Sequence, residues 1–146
     1  LHLSHSNFTG CITFSDIKLF NVFIKMTQSS CEDAVHFVRV LGKKIKIEID
    51  DSYSDGVDLD FSDIDFEKII VNSAGNDCID FSAGKYIVQY ANLNKCGDKG
   101  VSAGEKSRVK VFKILMSSSS DYKLIGKTLK NDKKFSDFID WSDIEE

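Results

Sequence analysis

Four aspartates punctuate the middle of the chain: Asp33, Asp55, Asp77 and then Asp98, shifted by one where Gly97-Asp98-Lys99-Gly100 carries an extra residue. The first three are 22 residues apart (55 − 33 = 22; 77 − 55 = 22), and each precedes a small residue and then a β-branched one. If the chain returns to the same place at that interval, the carboxyl groups of Asp55 and Asp77 lie about 5 Å apart, the separation of a retaining glycosidase pair. Asp98 then lies about 9 to 10 Å from Asp55, at or just past the limit for an inverting pair. Stacked like charges raise one pKa and set an acid beside a base. The same residues would also serve as turn caps that accept backbone N–H bonds, or as cation ligands. Capping is the preferred reading. It explains an aspartate at every repeat, and catalysis does not.

A second acidic pair, Asp58 and Asp80, follows the same spacing (80 − 58 = 22) on the opposite strand face, as a solvated surface or as two stacked carboxylates holding calcium. His36 occupies the equivalent place one repeat earlier and is expected to be a solvated neighbour of these acids. Lys85, Lys95, Lys99, Lys106, Arg108 and Lys110 give the later repeats a basic side, and Lys99, Arg108 and Lys110 are the candidate contacts for an acidic sugar. Cys11, Cys31, Cys78 and Cys96 form no CxxC pair, so a zinc site is not expected; buried free thiols are.

The elements that would position these residues are strands. Val35, Val57, Ile79 and Val101 recur at 22 residues, and Phe37, Leu59, Phe81 and Ala103 follow each by two; Ile12 and Phe14 extend both series backwards with one extra residue. Such period-2 pairs turn one side inward and one outward. A second strand repeats through Leu3, Met26, Ile49, Val71, Leu93 and Met116, and through Leu1, Ile24, Ile47, Ile69, Ala91 and Ile114. A polar series comes directly after it: Ser4, Thr27, Asp50, Asn72, Asn94 and Ser117. Its members would satisfy one another along a stack. Helical repeats need 33 or more residues, and the leucine-rich signature does not recur. The spacing therefore predicts an all-β fold, a right-handed parallel β-helix of about five coils with 22–23 residues per coil. Phe14, Phe37 and Phe81 fall on inward columns and read as core rather than as a sugar platform.

Coils are assigned to residues 1–116, and residues 117–146 to a serine-rich connection followed by a degenerate last coil or a capping tail with Phe135, Phe138, Ile139 and Trp141. Leu1 and Leu3 already sit in second-strand columns, so the chain is expected to begin in mid-coil as part of a longer solenoid. A net charge of −4 leaves no basic footprint for nucleic acid, and no apolar run reaches the length of a membrane span.

With these motifs in place, CEDAVHFVR, SDGVDLDFS, GNDCIDFSAG and GDKGVSAGEKSRV resemble the coils of bacterial β-helix repeat proteins in the pectin-lyase-like superfamily, which read SDAIDxDFS, GNDAIDxSGS and GDKGISxGE. The resemblance covers residues 31–115. It implies a secreted or surface location and carries no settled activity. Polygalacturonases are more loosely similar: Asp55 matches the aspartate of their first motif and Asp77 the second aspartate of their acid pair. The first of that pair is Asn76 here, the expected histidine has no counterpart, and Arg108 and Lys110 arrive too early for the basic motif. The expectation is a non-catalytic scaffold that binds polysaccharide or another surface protein on flat sheet faces, with no cofactor other than the calcium considered above. The alternative is a hydrolase or lyase of acidic sugars using Asp55, Asp77 and Asp98.

Overall fold

The computed structural model describes residues 10–104 and 106–117, together with the backbone of residues 125–126 and 144–145. Among the described residues there is no helix; the chain winds as a parallel β-solenoid of about five turns. Each turn opens with a strand of one sheet: β1 (Gly10–Ser15). The chain then crosses to a second sheet through β2 (Lys18–Phe20) and β3 (Phe23–Met26). The next coils repeat this with β4 (Asp33–Val38) and β5 (Leu41–Ile49), then β6 (Asp55–Asp60) and β7 (Asp63–Val71). They continue through β8 (Ile79–Ser82), β9 (Gly84–Val88) and β10 (Ala91–Asn94), then β11 (Val101–Ala103), β12 (Ser107–Val111) and β13 (Ile114–Ser117). Strands β14 (Ile125–Gly126) and β15 (Ile144–Glu145) add one short pairing to each sheet.

The first sheet runs β1-β4-β6-β8-β11-β14. In the second, the long strands β5 and β7 each span what their neighbours divide into two, and a bulge near Lys43 and Ile45 bends β5 against β7. Every register is parallel. From β1 to β13 the partners keep the predicted spacing except at the bulge in β5, whereas β13 and β15 pair across 30 residues (144 − 114 = 30). Ile12, Val35, Val57, Ile79 and Val101 are successive partners, as are Met26, Ile49, Val71, Leu93 and Met116. The positions predicted from Leu1, Leu3 and Ser4, and those of the tail from Phe135 to Trp141, lie outside the described residues.

Inward residues of the two sheets meet in a single core of stacked Val, Ile, Leu and Phe. Stacking like on like buries each side chain against its own copy above and below, at roughly 25 cal/mol per Å² of apolar surface. The small residue before each β-branched one now has a cause. A Cβ on Gly56 would meet the Cys78 carbonyl oxygen at 2.6 Å and Val71 at 3.2 Å, and one on Gly100 would strike Met116 at 2.4 Å. At this corner the second sheet leans on the first, and there is little room for side chain.

The corner that leaves the first sheet uses left-handed backbone. Asp16, Arg39, Phe61 and Ala83 have φ of 54°, 53°, 52° and 42° and stand one coil apart. The amides of the first three donate to Val38, Asp60 and Ser82 in the following coil, at 2.9–3.0 Å. Each turn therefore completes its hydrogen bonding through its neighbour. Across the solenoid, Asn72 Nδ2 donates to Asp50 Oδ1 at 3.0 Å, Asn94 Nδ2 to Asn72 Oδ1 at 3.5 Å, and Ser117 Oγ to Asn94 Oδ1 at 2.6 Å. These bonds form the polar ladder the sequence anticipates.

The cysteines are not free thiols. Cys11 is bonded to Cys31 and Cys78 to Cys96, across separations of 20 and 18 residues. A separation a little under one coil brings the chain back beside its starting point, which places both partners within bonding range.

Candidate functional site

The aspartate ladder is used mainly as a set of caps. Asp55 Oδ1 accepts the Asp77 N–H and the Asn76 side-chain amide, both at 2.8 Å. Asp77 Oδ1 repeats the arrangement by accepting the Lys99 N–H at 3.0 Å. Lys99 holds the ladder position in the last coil, and Asp98 stands one residue before it. The Lys99 ammonium reaches both Asp77 oxygens, at 3.2 and 3.3 Å, and also bonds Asp98. Its pKa is raised first by that bond to Asp98. Burial pushes the Asp55 carboxyl up, while the bonds from Asp77 and Asn76 pull it down. An Asp63 cap does the same on the second sheet, accepting the Lys85 N–H at 3.0 Å.

Asp33 breaks this rule. The amide it would cap, that of Asp55, donates instead to the Glu32 carbonyl at 2.9 Å. The Asp33 carboxylate is 7% exposed and faces His36 Nδ1 at 3.7 Å, beyond hydrogen-bonding distance. His36 is 14% exposed rather than solvated, because it is walled in by acids: its Nε2 lies 3.1 Å from Asp60 Oδ2 and 3.3 Å from Asp58 Oδ2. Nδ1 is buried without a hydrogen-bond partner among the described residues. Gly10 lies over the ring's base, where a Cβ would come within 2.9 Å of His36 Cβ. Burial, reinforced by the neighbouring Asp58, pushes Asp33 up to about 7; burial likewise raises Asp58 to about 6, against the pull of His36. One donor atom each from Asp33, His36 and Asp58 falls within 4.8 Å of the others. Such a group can hold a proton between acceptors or a cation among them.

Asp60 was not singled out from the sequence, although period-2 alternation puts it on the same face as Asp58, two residues earlier in DLD. Asp58 and Asp80 are register partners on β6 and β8, as their spacing requires. Of the three candidate sugar contacts, Arg108 and Lys110 share the exposed face of one strand and Lys99 stands at the other sheet. Lys99 lies before β11 in the first sheet, whereas Arg108 and Lys110 lie on β12 in the second, beside Lys85 and Ile87. Lys110 sits over the Phe112 ring, 4.5 Å from its centroid.

A shallow groove of about 480 Å³ runs over the second sheet, lined by Lys18, Phe20, Leu41, Lys43, Asp63 and Lys85 among others. Phe20 is 68% exposed and Leu41 51%, so this face presents apolar side chains between lysines. No helix among the described residues is long and apolar enough to cross a membrane. In comparisons with known proteins, no family model, no curated protein and no solved structure matches the chain.

Proposed function

We propose that this chain is a non-catalytic β-solenoid scaffold of a secreted or surface protein, of the pectin-lyase-like kind, which engages an acidic polysaccharide on its sheet faces. The observation that carries the reading is the use made of the ladder. Asp55 and Asp77 hold the amides of the following coil, and Asp77 is further paired with Lys99, which supports a capping role for both. The groove supports the second half, since exposed Phe20 and Leu41 can lie against sugar faces while Lys18, Lys43 and Lys85 meet carboxylates. Two disulfides are compatible with an oxidising compartment.

Asp77→Asn tests the first half. A cap and ion pair predict a stability loss of about 1.5–3 kcal/mol, the worth of a hydrogen bond to a charged group. They also predict no sugar release from acidic polysaccharides by either protein. Release by the wild type that Asp77→Asn abolishes at unchanged stability would establish the hydrolase or lyase instead. For the second half, Phe20→Ala with Lys43→Ala should lower retention on an immobilised acidic polysaccharide; unchanged retention removes this face from the reading.

A further inference from the structure

We propose that Asp33, His36 and Asp58 form a three-ligand site for a first-row divalent metal of the zinc type, with Asp60 orienting the imidazole. In the Nε2–H tautomer Asp60 Oδ2, at 3.1 Å, accepts a hydrogen bond from Nε2, which leaves the Nδ1 lone pair facing the Asp33 carboxylate 3.7 Å away. Two acceptors then face each other in a buried place, and a cation between them removes the conflict. A metal-bound histidine almost always passes its other N–H to a carboxylate in this way. Zinc bonds of about 2.0–2.2 Å set tetrahedral ligand atoms about 3.4 Å apart. Asp33 and Nδ1, at 3.7 Å, are close to that spacing, whereas Asp58, whose Oδ2 lies 3.3 Å from Nε2 and whose donor atom is within 4.8 Å of the others, must turn toward Nδ1.

Two observations support the site independently of the acid cluster itself. Asp33 is more than nine-tenths buried and does not cap the Asp55 amide, as the ladder would require of it. Nδ1 is buried and unpartnered among the described residues. One imidazole with two carboxylates suits zinc and its neighbours, whereas calcium takes six to eight oxygens. The stacked pair Asp58 and Asp80 lacks the nitrogen. Asp58, at 21% exposure, leaves the solvent side open for entry and for a water ligand.

The test uses the full chain in a His2→Gln/His5→Gln background, stripped with chelator and titrated calorimetrically with zinc chloride and, separately, calcium chloride. One zinc ion per chain is expected, with no calcium heat. Asp60→Asn should weaken zinc about 10- to 100-fold, His36→Gln should abolish binding, and Asp80→Asn should match the parent. Because losing His36 could unfold its coil, the parent protein is also followed by ¹⁵N NMR, where zinc should move His36 Nδ1 while Nε2 keeps its proton. Absence of zinc heat, equal binding of calcium, or an unmoved Nδ1 resonance would each overturn the site. So would a loss with Asp80→Asn as large as that with Asp60→Asn, which would put the ion on the carboxylate ladder.

Discussion

Replacing Cys78 and Cys96 together by alanine isolates what one cross-link contributes to a stacked coil. The repeat supplies the substitution: Ala34 stands where Cys78 does, and Ala74 is the bridge partner of Cys96 in the coil before. Alanine therefore fits both sites, and the packing change is small beside the loss of the link. An 18-residue separation corresponds to about 3 kcal/mol of unfolded-chain entropy at 25 °C. Urea unfolding should show that loss, with a steeper slope because the unfolded chain expands. Alkylation of the unfolded, unreduced parent provides the companion measurement and should label none of Cys11, Cys31, Cys78 and Cys96. A loss under about 1 kcal/mol would refute the entropic account. Label at Cys78 or Cys96 would refute the bridge itself.

Three further outcomes follow from local geometry. Asp33 and Asp58 have folded-state pKa values raised to about 7 and 6, above the ordinary 3.8, so their contribution is complete below pH 3.8 and is lost as pH climbs through 6 and 7. In chelator, the urea midpoint should therefore fall between pH 5 and pH 8, and Asp33→Asn should flatten that fall. Phe61 is 66% exposed at φ 52°, where a bulky residue is strained, so Phe61→Asn should stabilise by about 0.5–1 kcal/mol in thermal or urea melts. Gly56→Ala places a Cβ 2.6 Å from a backbone oxygen and should cost about 1–3 kcal/mol; an unchanged melting point would show that the corner yields.

The winding was legible because it is written in side-chain type. Val35, Val57, Ile79 and Val101 announce their superposition by kind and interval, and Asp50, Asn72 and Asn94 announce a polar rail in the same way. The His36 cluster was legible only in part. His36, Asp58 and Asp60 share a face by alternation, but Asp33 falls on the other one, and the Asp55 amide it would cap goes to the Glu32 carbonyl instead. That is a backbone decision with no signature in residue type. The disulfides were hidden for a different reason: Cys78 and Cys96 fill columns where small apolar residues also serve, so their identity suggested packing. Their separation of 18, just short of a full coil, was the signal that pairing left in the sequence.

The aspartate caps all point one way. Asp77 donates its amide back to Asp55, Lys99 back to Asp77, and Lys85 back to Asp63, so the acceptor belongs to the earlier residue in every case. A coil emerging during synthesis thus finds the receptors for these amides already in place on the preceding one, while its corner amides, such as that of Arg39 donating to the Asp60 carbonyl, wait for the coil that follows. The solenoid can be laid down like courses of brick, each bedded on the last, and its assembly acquires a direction that the symmetric stacking of the core does not supply.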